Sequence, residues 1–185
     1  MTRAALSSDI AGTNRGKAGM TDRTVIMGVA GCGKSTVGAA LSQATGIPYR
    51  DGDDLHPVAN VARMAAGLPL TDADRWPWLD LVAAELARNA PLMIGCSALK
   101  RAYRDRIGAG AGGPVLFIHL SGSRAVIEAR MAARHDHFMP VSLLDSQFAA
   151  LEPPGADEPH LTVDIDQPLA VIVARIRQAL PDRPG

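Results

Sequence analysis

The stretch Gly28-Val29-Ala30-Gly31-Cys32-Gly33-Lys34-Ser35-Thr36 fits the pattern G-x-x-x-x-G-K-[ST], and its flanks decide how it is read. Before it, Val25-Ile26-Met27 is a short apolar run that stops at Gly28. After it, a helical pattern from Ser35 to Thr45 ends at Gly46, and Pro48 prevents continuation. Strand, glycine-rich loop and helix in that order make an anion cradle. The glycines let backbone N–H groups wrap a phosphate, and the helix N-terminus adds partial positive charge. Lys34 then reaches the β/γ-phosphates and Ser35 ligates Mg2+. The competing reading is a glycine-rich turn that matches by chance, which happens in roughly one per cent or fewer of chains this long. The stretch therefore predicts a nucleotide site made by Gly28, Gly31, Cys32, Gly33, Lys34, Ser35 and Thr36. Cys32 reads as a small side chain filling a loop position, in preference to a thiol activated by the helix end, and Cys96 reads the same way.

Outward from the loop, strand and helix patterns alternate. Strands are expected at Ile47 to Arg50, Leu92 to Cys96, Val115 to Leu120 and Thr162 to Ile165, the second and third as apolar runs buried on both faces. Helical patterns run from Asn60 to Gly67 and from Asp74 to Asn89. Thr71 stands three residues before Asp74, like a capping box, and Pro77 is expected in the first turn. Ser123 can cap a helix reaching about His135, and Ser142 with Asp145 one ending before Pro153-Pro154. Pro168 suits the first turn of a terminal helix with Leu169, Ile172, Val173, Ile176 and Leu180 on its apolar face. Gly108 to Pro114 (GAGAGGP) reads as a flexible surface loop. The alternation implies an α/β fold, three layers α/β/α around a mostly parallel five-stranded sheet of the P-loop NTPase kind.

Composition narrows the function classes. The 185 residues suit one domain, and 47% hydrophobic residues is ordinary for a globular chain. Nineteen basic and nineteen acidic side chains cancel, which argues against nucleic acid or an anionic membrane as partner and for a small ligand held by local charges. No run of about 18 apolar residues spans a membrane. Two cysteines are too few for a disulfide scaffold or a four-ligand zinc site, so a reduced, cytoplasmic protein is expected. Residues 1–23 lack the apolar core of a signal peptide and read as a disordered tail before a single domain over 24–185. Met20 is an alternative start.

In open parallel sheets ligands collect beyond the carboxyl ends of the strands. Three polar clusters fall there: the phosphate loop after strand one, Asp51-Gly52-Asp53-Asp54-Leu55-His56-Pro57 after strand two, and Cys96-Ser97-Ala98-Leu99-Lys100 after strand three. All three are expected to face one cleft. Asp51 and Asp53, on alternate positions, suit a water-mediated hold on Mg2+ and the orientation or deprotonation of a hydroxyl.

These motifs carry a family resemblance. MGVAGCGKST, DGDDLHP with Asn60, RMAAGLPLTDADRWPWL (Arg63 to Leu79), CSALKRAYRD (Cys96 to Asp105), HFMPVSLLDSQFAALEPP (His137 to Pro154), GADE (Gly155 to Glu158) and VDIDQPL (Val163 to Leu169) together resemble the gluconokinases, small P-loop kinases related in fold to shikimate and adenylate kinases. The likeness covers nearly everything from about Thr24 onward. It implies ATP-dependent phosphorylation of D-gluconate at its 6-hydroxyl, with ATP and Mg2+ as cofactors. It also implies a substrate-binding segment over 57–78, a lid over about 130–142, and a homodimer as an open assembly state. Gluconate is a carboxylate on a polyol, so its site needs cations and hydrogen-bonding partners. Arg63, Arg75, Lys100 and Arg104 are candidates for the first, and Asp53, His56, Asn60 and Ser97 for the second. Arg130 and Arg134, four apart on one helix, resemble lid arginines that meet the charge on the transferring phosphoryl group. Asp136 departs from the family's usual Gly before HF.

Each assignment has a plainer competitor. Asp53 competes with a turn residue, Asp54 reads as a capping or solvated carboxylate, and His56 has no second and third ligand at metal spacing. His135 and His137 do not share a helix face. Arg63 and Arg75 compete with solvated helix faces, and Trp76 and Trp78 read as packing residues. Another small-acid kinase, a nucleoside monophosphate kinase and a P-loop switch remain alternatives at this level.

Overall fold

A computed structural model describes residues 21–132 and 141–180. Five strands, β1 (Arg23–Met27), β2 (Tyr49–Asp51), β3 (Leu92–Gly95), β4 (Leu116–Ser121) and β5 (His160–Asp164), form one sheet in the order β2-β3-β1-β4-β5. Every pairing is parallel. Among the described residues seven α-helices fill the crossovers and follow β5: α1 (Lys34–Thr45), α2 (Val58–Ala65), α3 (Asp72–Arg88), α4 (Arg101–Gly110), α5 (Arg124–Ala132), α6 (Val141–Ala150) and α7 (Leu169–Arg177).

Alternation along β1 shows how the layers are held apart. Ile26 joins Val37 and Leu41 of α1, Ile127 of α5 and Ile172 and Ile176 of α7 in one core. Val25 and Met27 point the other way, to Trp78, Leu79, Val82 and Leu86 of α3 and Tyr103 and Ile107 of α4. These side chains are at most 2% exposed. Each such burial contributes about 1.5–3 kcal/mol before chain entropy is counted.

Local signals explain several boundaries. Gly46 ends α1 in the left-handed conformation (φ 72°), its N–H bonded to the Ser42 carbonyl. Thr71 and Asp74 form the full capping box at α3, and the Ser123 hydroxyl accepts from Val126 N at α5.

Four expectations need correction. Pro77 lies in the second turn of α3, where its missing N–H leaves the Ala73 carbonyl without the usual helical donor. Ser142 lies inside α6, which starts at Val141, and Asp145 pairs with Arg124 instead of joining a cap. Residues 108–110 are the last turn of α4, and Ala111 is fully buried. Packing overrides glycine's weak helix propensity there, because a Cβ on Gly110 would stand 2.9 Å from Ala83 Cβ of α3. Residues before 24 also belong to the folded unit: Arg23 opens β1, and the buried Thr21 hydroxyl donates to the Pro114 carbonyl at 2.5 Å. Residues 1–20 of the expected tail lie outside the described residues.

Candidate active site

The phosphate loop joins β1 to α1, and its glycines are required by conformation. Gly28, Gly31 and Gly33 have φ of 142°, 79° and 100°, values that a residue with a side chain adopts only under strain. A Cβ on Gly28 would lie 2.8 Å from the Leu120 carbonyl oxygen, and one on Gly31 2.6 Å from Met131 Cγ. Lys34 Nζ donates to the carbonyls of Gly28 and Val29 at 3.1 and 3.3 Å, so the cation is held over the loop. Cys32 is fully buried, as expected of a filling side chain. Thr36 is exposed and shares with Tyr49 the lining of a cavity on the flank of α1.

Two contacts around the loop were not legible beforehand. Gln147 of α6 accepts from the Ala30 N–H at 2.6 Å. Arg130 of α5 donates to the Cys32 carbonyl at 3.3 Å and to the Ile165 carbonyl beyond β5. Arg130 therefore stands against the phosphate loop, whereas Arg134, His135, His137 and most of the 130–142 segment lie outside the described residues.

Strand β2 delivers the acidic pair. Its last residue, Asp51, accepts from Ser35 Oγ at 2.7 Å and from the Asp53 N–H at 3.1 Å, so one carboxylate meets the loop and caps the 3-10 turn Gly52–Leu55. Gly52 is buried against the Gly95 carbonyl, where a Cβ would overlap it. Partial desolvation, then the negative charge of Asp51, hold the Asp53 carboxyl above its usual range, while Lys34 opposes them. The side chain is 73% exposed. That makes the desolvation that of a cleft wall, and leaves Asp51 as the firmer cause.

His56 is a neutral hydrogen-bonding group. Burial, then the charge of Arg75, push its pKa down to about 4. Asn60 Nδ2 approaches its Nδ1 at 3.3 Å, which assigns the proton to Nε2, 3.8 Å from Asp53 Oδ1. The ring stacks on Trp78 (centroids 4.1 Å, 16°), and Trp78 Nε1 donates to the Gly52 carbonyl at 2.7 Å. The packing reading of Trp78 therefore holds, with the added task of fixing the acidic turn. Asn60 is corrected from substrate partner to support: it is buried, and its amide donates to the Asp74 carbonyl at 2.8 Å as well as to His56.

The four cations expected to meet a carboxylate separate clearly. Arg104 is corrected to a structural role, being 2% exposed. Its Nε and Nη2 bind Glu158 at 2.5 and 2.9 Å, and Nη1 donates to the carbonyls of Ala98, Leu99 and Glu152. Ala98 has a left-handed φ of 42°, so Arg104 secures a strained turn that leads into α4. Removing one partner of such a buried pair is strongly destabilising. Arg104→Ala is expected to lower unfolding free energy by about 3–5 kcal/mol, read from urea melts, while the cleft residues stay in place. A raised KM for the acid substrate at unchanged stability would return Arg104 to the cleft.

Lys100 is the residue before α4. Its ammonium contacts both oxygens of Asp72 at 2.8 Å, and Tyr103 donates to Asp72 at 2.5 Å. Lys100 first, then Tyr103, hold the Asp72 carboxyl below its usual range. Arg63 pairs with Asp74 at 3.4 Å and the Pro69 carbonyl at 3.3 Å, tying the end of α2 to the start of α3. Arg75 differs. It lies 5.8 Å from the Tyr103 ring centre and makes no side-chain hydrogen bond among the described residues. Burial raises the Cys96 thiol to about 12, and the charges of Lys34, Asp53 and Arg75 all act on it. Those three charges therefore lie within electrostatic reach of the end of β3. Beside them, Ser97 accepts from the Gly28 N–H through its carbonyl at 3.3 Å, locking the third cluster to the phosphate loop.

A triphosphate suits this cradle: positive-φ glycines, a helix N-terminus and a lysine surround one loop. Mg2+ suits the Ser35–Asp51 pair, because this ion keeps most of its waters and needs one or two protein ligands beside phosphate oxygens. Among the described residues no cluster of three or more His, Cys, Asp or Glu side chains could hold a metal, and no helix is long and apolar enough to cross a membrane.

A P-loop at the head of a parallel sheet in the order 2-3-1-4-5, with paired carboxylates at the end of the second strand, defines a small P-loop kinase. Shikimate kinase from Bacteroides thetaiotaomicron shares that fold at a TM-score of 0.61 and 16% identity, over 85% of this chain and 97% of its own. The thermoresistant gluconokinase of Escherichia coli (strain K12) is 47% identical over 156 residues, 81% of this chain and 88% of its own. The crystal structure of a gluconokinase from Sinorhizobium meliloti 1021 superposes with a TM-score of 0.77 at 45% identity, covering 85% of this chain and 94% of the other. The chain belongs to the gluconokinase family. No protein-family model matches it.

Proposed function

We propose that this protein transfers the γ-phosphoryl group of ATP to the 6-hydroxyl of D-gluconate, giving 6-phospho-D-gluconate and ADP. The observation that carries the reading is the junction of the phosphate loop with the acidic turn, Ser35 to Asp51 at 2.7 Å, with Asp53 two residues on in the same turn. Membership of the gluconokinase family supports the choice of substrate.

Gluconate enters with its 6-hydroxyl toward Asp53 and its carboxylate toward Arg75, whose guanidinium makes no hydrogen bond among the described residues. Lys100 joins that end on exchanging Asp72 for the substrate. The His56 Nε2–H and the Ser97 hydroxyl serve the polyol, and residues 57–78 with the start of α4 form the wall that binds it. Asp53 accepts the proton of the 6-hydroxyl as that oxygen bonds to the γ-phosphorus and the bond to the ADP oxygen breaks. Lys34 and Arg130 offset the charge of the transferring group. Ser35, and Asp51 through water, would hold Mg2+, which would supply neutralisation of phosphate charge. An ATP-dependent enzyme with two free, buried thiols fits the reducing cytoplasm.

A coupled assay of ADP release tests the reading with gluconate, other sugar acids, shikimate and nucleoside monophosphates as acceptors. Gluconate is expected to give the highest kcat/KM. ADP release independent of any acceptor would instead describe a nucleotide switch.

A further inference from the structure

Tyr49 is the first residue of β2, and two glycines make room for it. A Cβ on Gly38 of α1 would overlap its ring, and a Cβ on Gly95 at the end of β3 would overlap its hydroxyl. Gly38 sits inside a helix, where glycine weakens the element, so the sequence accepts a local cost to seat this ring.

The seat aims the hydroxyl. Tyr49 and Asp51 occupy alternate positions of β2 and share a face. Asp51 pairs in register with Gly95, and the hydroxyl of Tyr49 reaches over Gly95, so the side chain runs along the strand to the level of the Asp51 carboxylate. On α1 the ring lies against Gly38, three residues after Ser35 and on the same helix face. The hydroxyl therefore lies beside Ser35 and the Asp51 carboxylate, with Asp53 and Cys32 also in electrostatic reach. It is buried and makes no hydrogen bond among the described residues. A phenylalanine would fill the same cradle without that cost, so packing does not account for the oxygen.

We propose that Tyr49 is a positioning residue for the Mg2+-facing pair, its hydroxyl, unpaired in the ligand-free protein, donating to Ser35 Oγ when the Mg2+-nucleotide binds, while Ser35 donates to Asp51. A serine hydroxyl has one donor and two acceptor sites. With the proton on Asp51 and one lone pair occupied by Tyr49, a single lone pair remains, and its direction is fixed for the ion. The inference rests on the reading of Ser35 and Asp51 as the Mg2+ site.

Calorimetric titration with ADP, in Mg2+ and again in EDTA, tests it on the wild type and on Tyr49→Phe. The variant is expected to keep or raise its ligand-free melting temperature, because a buried unpaired hydroxyl is removed. Its ADP affinity in EDTA is expected to match the wild type, and the gain in affinity on adding Mg2+ to shrink by about three- to tenfold, the worth of one hydrogen bond. An undiminished gain would overturn the proposal, as would an equal loss of affinity with and without Mg2+, which a packing defect produces. If the wild type itself gains nothing from Mg2+, the metal-site reading falls and takes this one with it.

Discussion

Lys34→Ala is expected to lower gluconate-dependent turnover by about a thousandfold or more, the scale seen when a cation or donor that meets developing phosphoryl charge is removed. The ammonium already sits over the loop, bonded to the carbonyls of Gly28 and Val29. Catalysis then requires only that it exchange those carbonyls for phosphate oxygens, so little reorganisation accompanies binding. The loss is expected mainly in kcat, since the glycine backbone and the α1 N-terminus still hold the nucleotide. Steady-state kinetics beside a circular dichroism spectrum check the prediction, and a folded variant within tenfold of wild type would refute it.

Asp53→Ala is expected to lower turnover by at least about 100-fold, and Asp54→Ala, on an exposed carboxylate of the same turn, to leave it near wild type. The pH profile adds a sign. The Asp53 pKa is raised, and its ionised form is the one that accepts a proton. The rate should therefore be full above that raised pKa and fall as pH drops through it, along an acid limb displaced above the ordinary carboxylate range. Asp53→Asn then separates two roles. A residue that takes the proton loses as much rate as alanine does, whereas one that only aims the hydroxyl keeps most of it and loses the acid limb.

Backbone-level signals were the legible part of the fold. The phosphate loop, the Gly46 terminus, the Thr71–Asp74 box and the five strands depend on near neighbours in sequence, so the chain displays them directly. The end of α4 escaped because Gly108 and Gly110 weaken a helix locally, while the close approach of Ala83 that Gly110 permits comes from another element. Ser142 escaped for the opposite reason: serine followed by Asp145 looks like a cap, but the helix had already begun at Val141.

The site was legible to the level of which strand end carries which cluster. Its finer assignments failed where a long-range partner claims a side chain. Lys100 and Arg104 stand four apart, yet Lys100 has extended backbone and lies outside the helix that carries Arg104. Helical spacing therefore does not place them together. Arg104 turns inward because Glu158, fifty-four residues on, and three carbonyls take its donors. The GADE segment that supplies Glu158 was part of the family likeness, but nothing local links it to Arg104. Tyr49 escaped because its tight fit is recorded at Gly38 and Gly95, residues that read as ordinary small positions until the strands are paired.

The central claim is that this cleft phosphorylates the primary hydroxyl of gluconate. Proton-coupled 31P NMR of a reaction of the pure protein with ATP, Mg2+ and gluconate tests it most directly. Carbon 6 is the one carbinol carbon of gluconate bearing two hydrogens, so the account predicts a new phosphomonoester resonance split into a triplet, growing as the γ-phosphate signal of ATP declines. A doublet, which marks transfer to a secondary hydroxyl, or loss of ATP to inorganic phosphate alone, would contradict it.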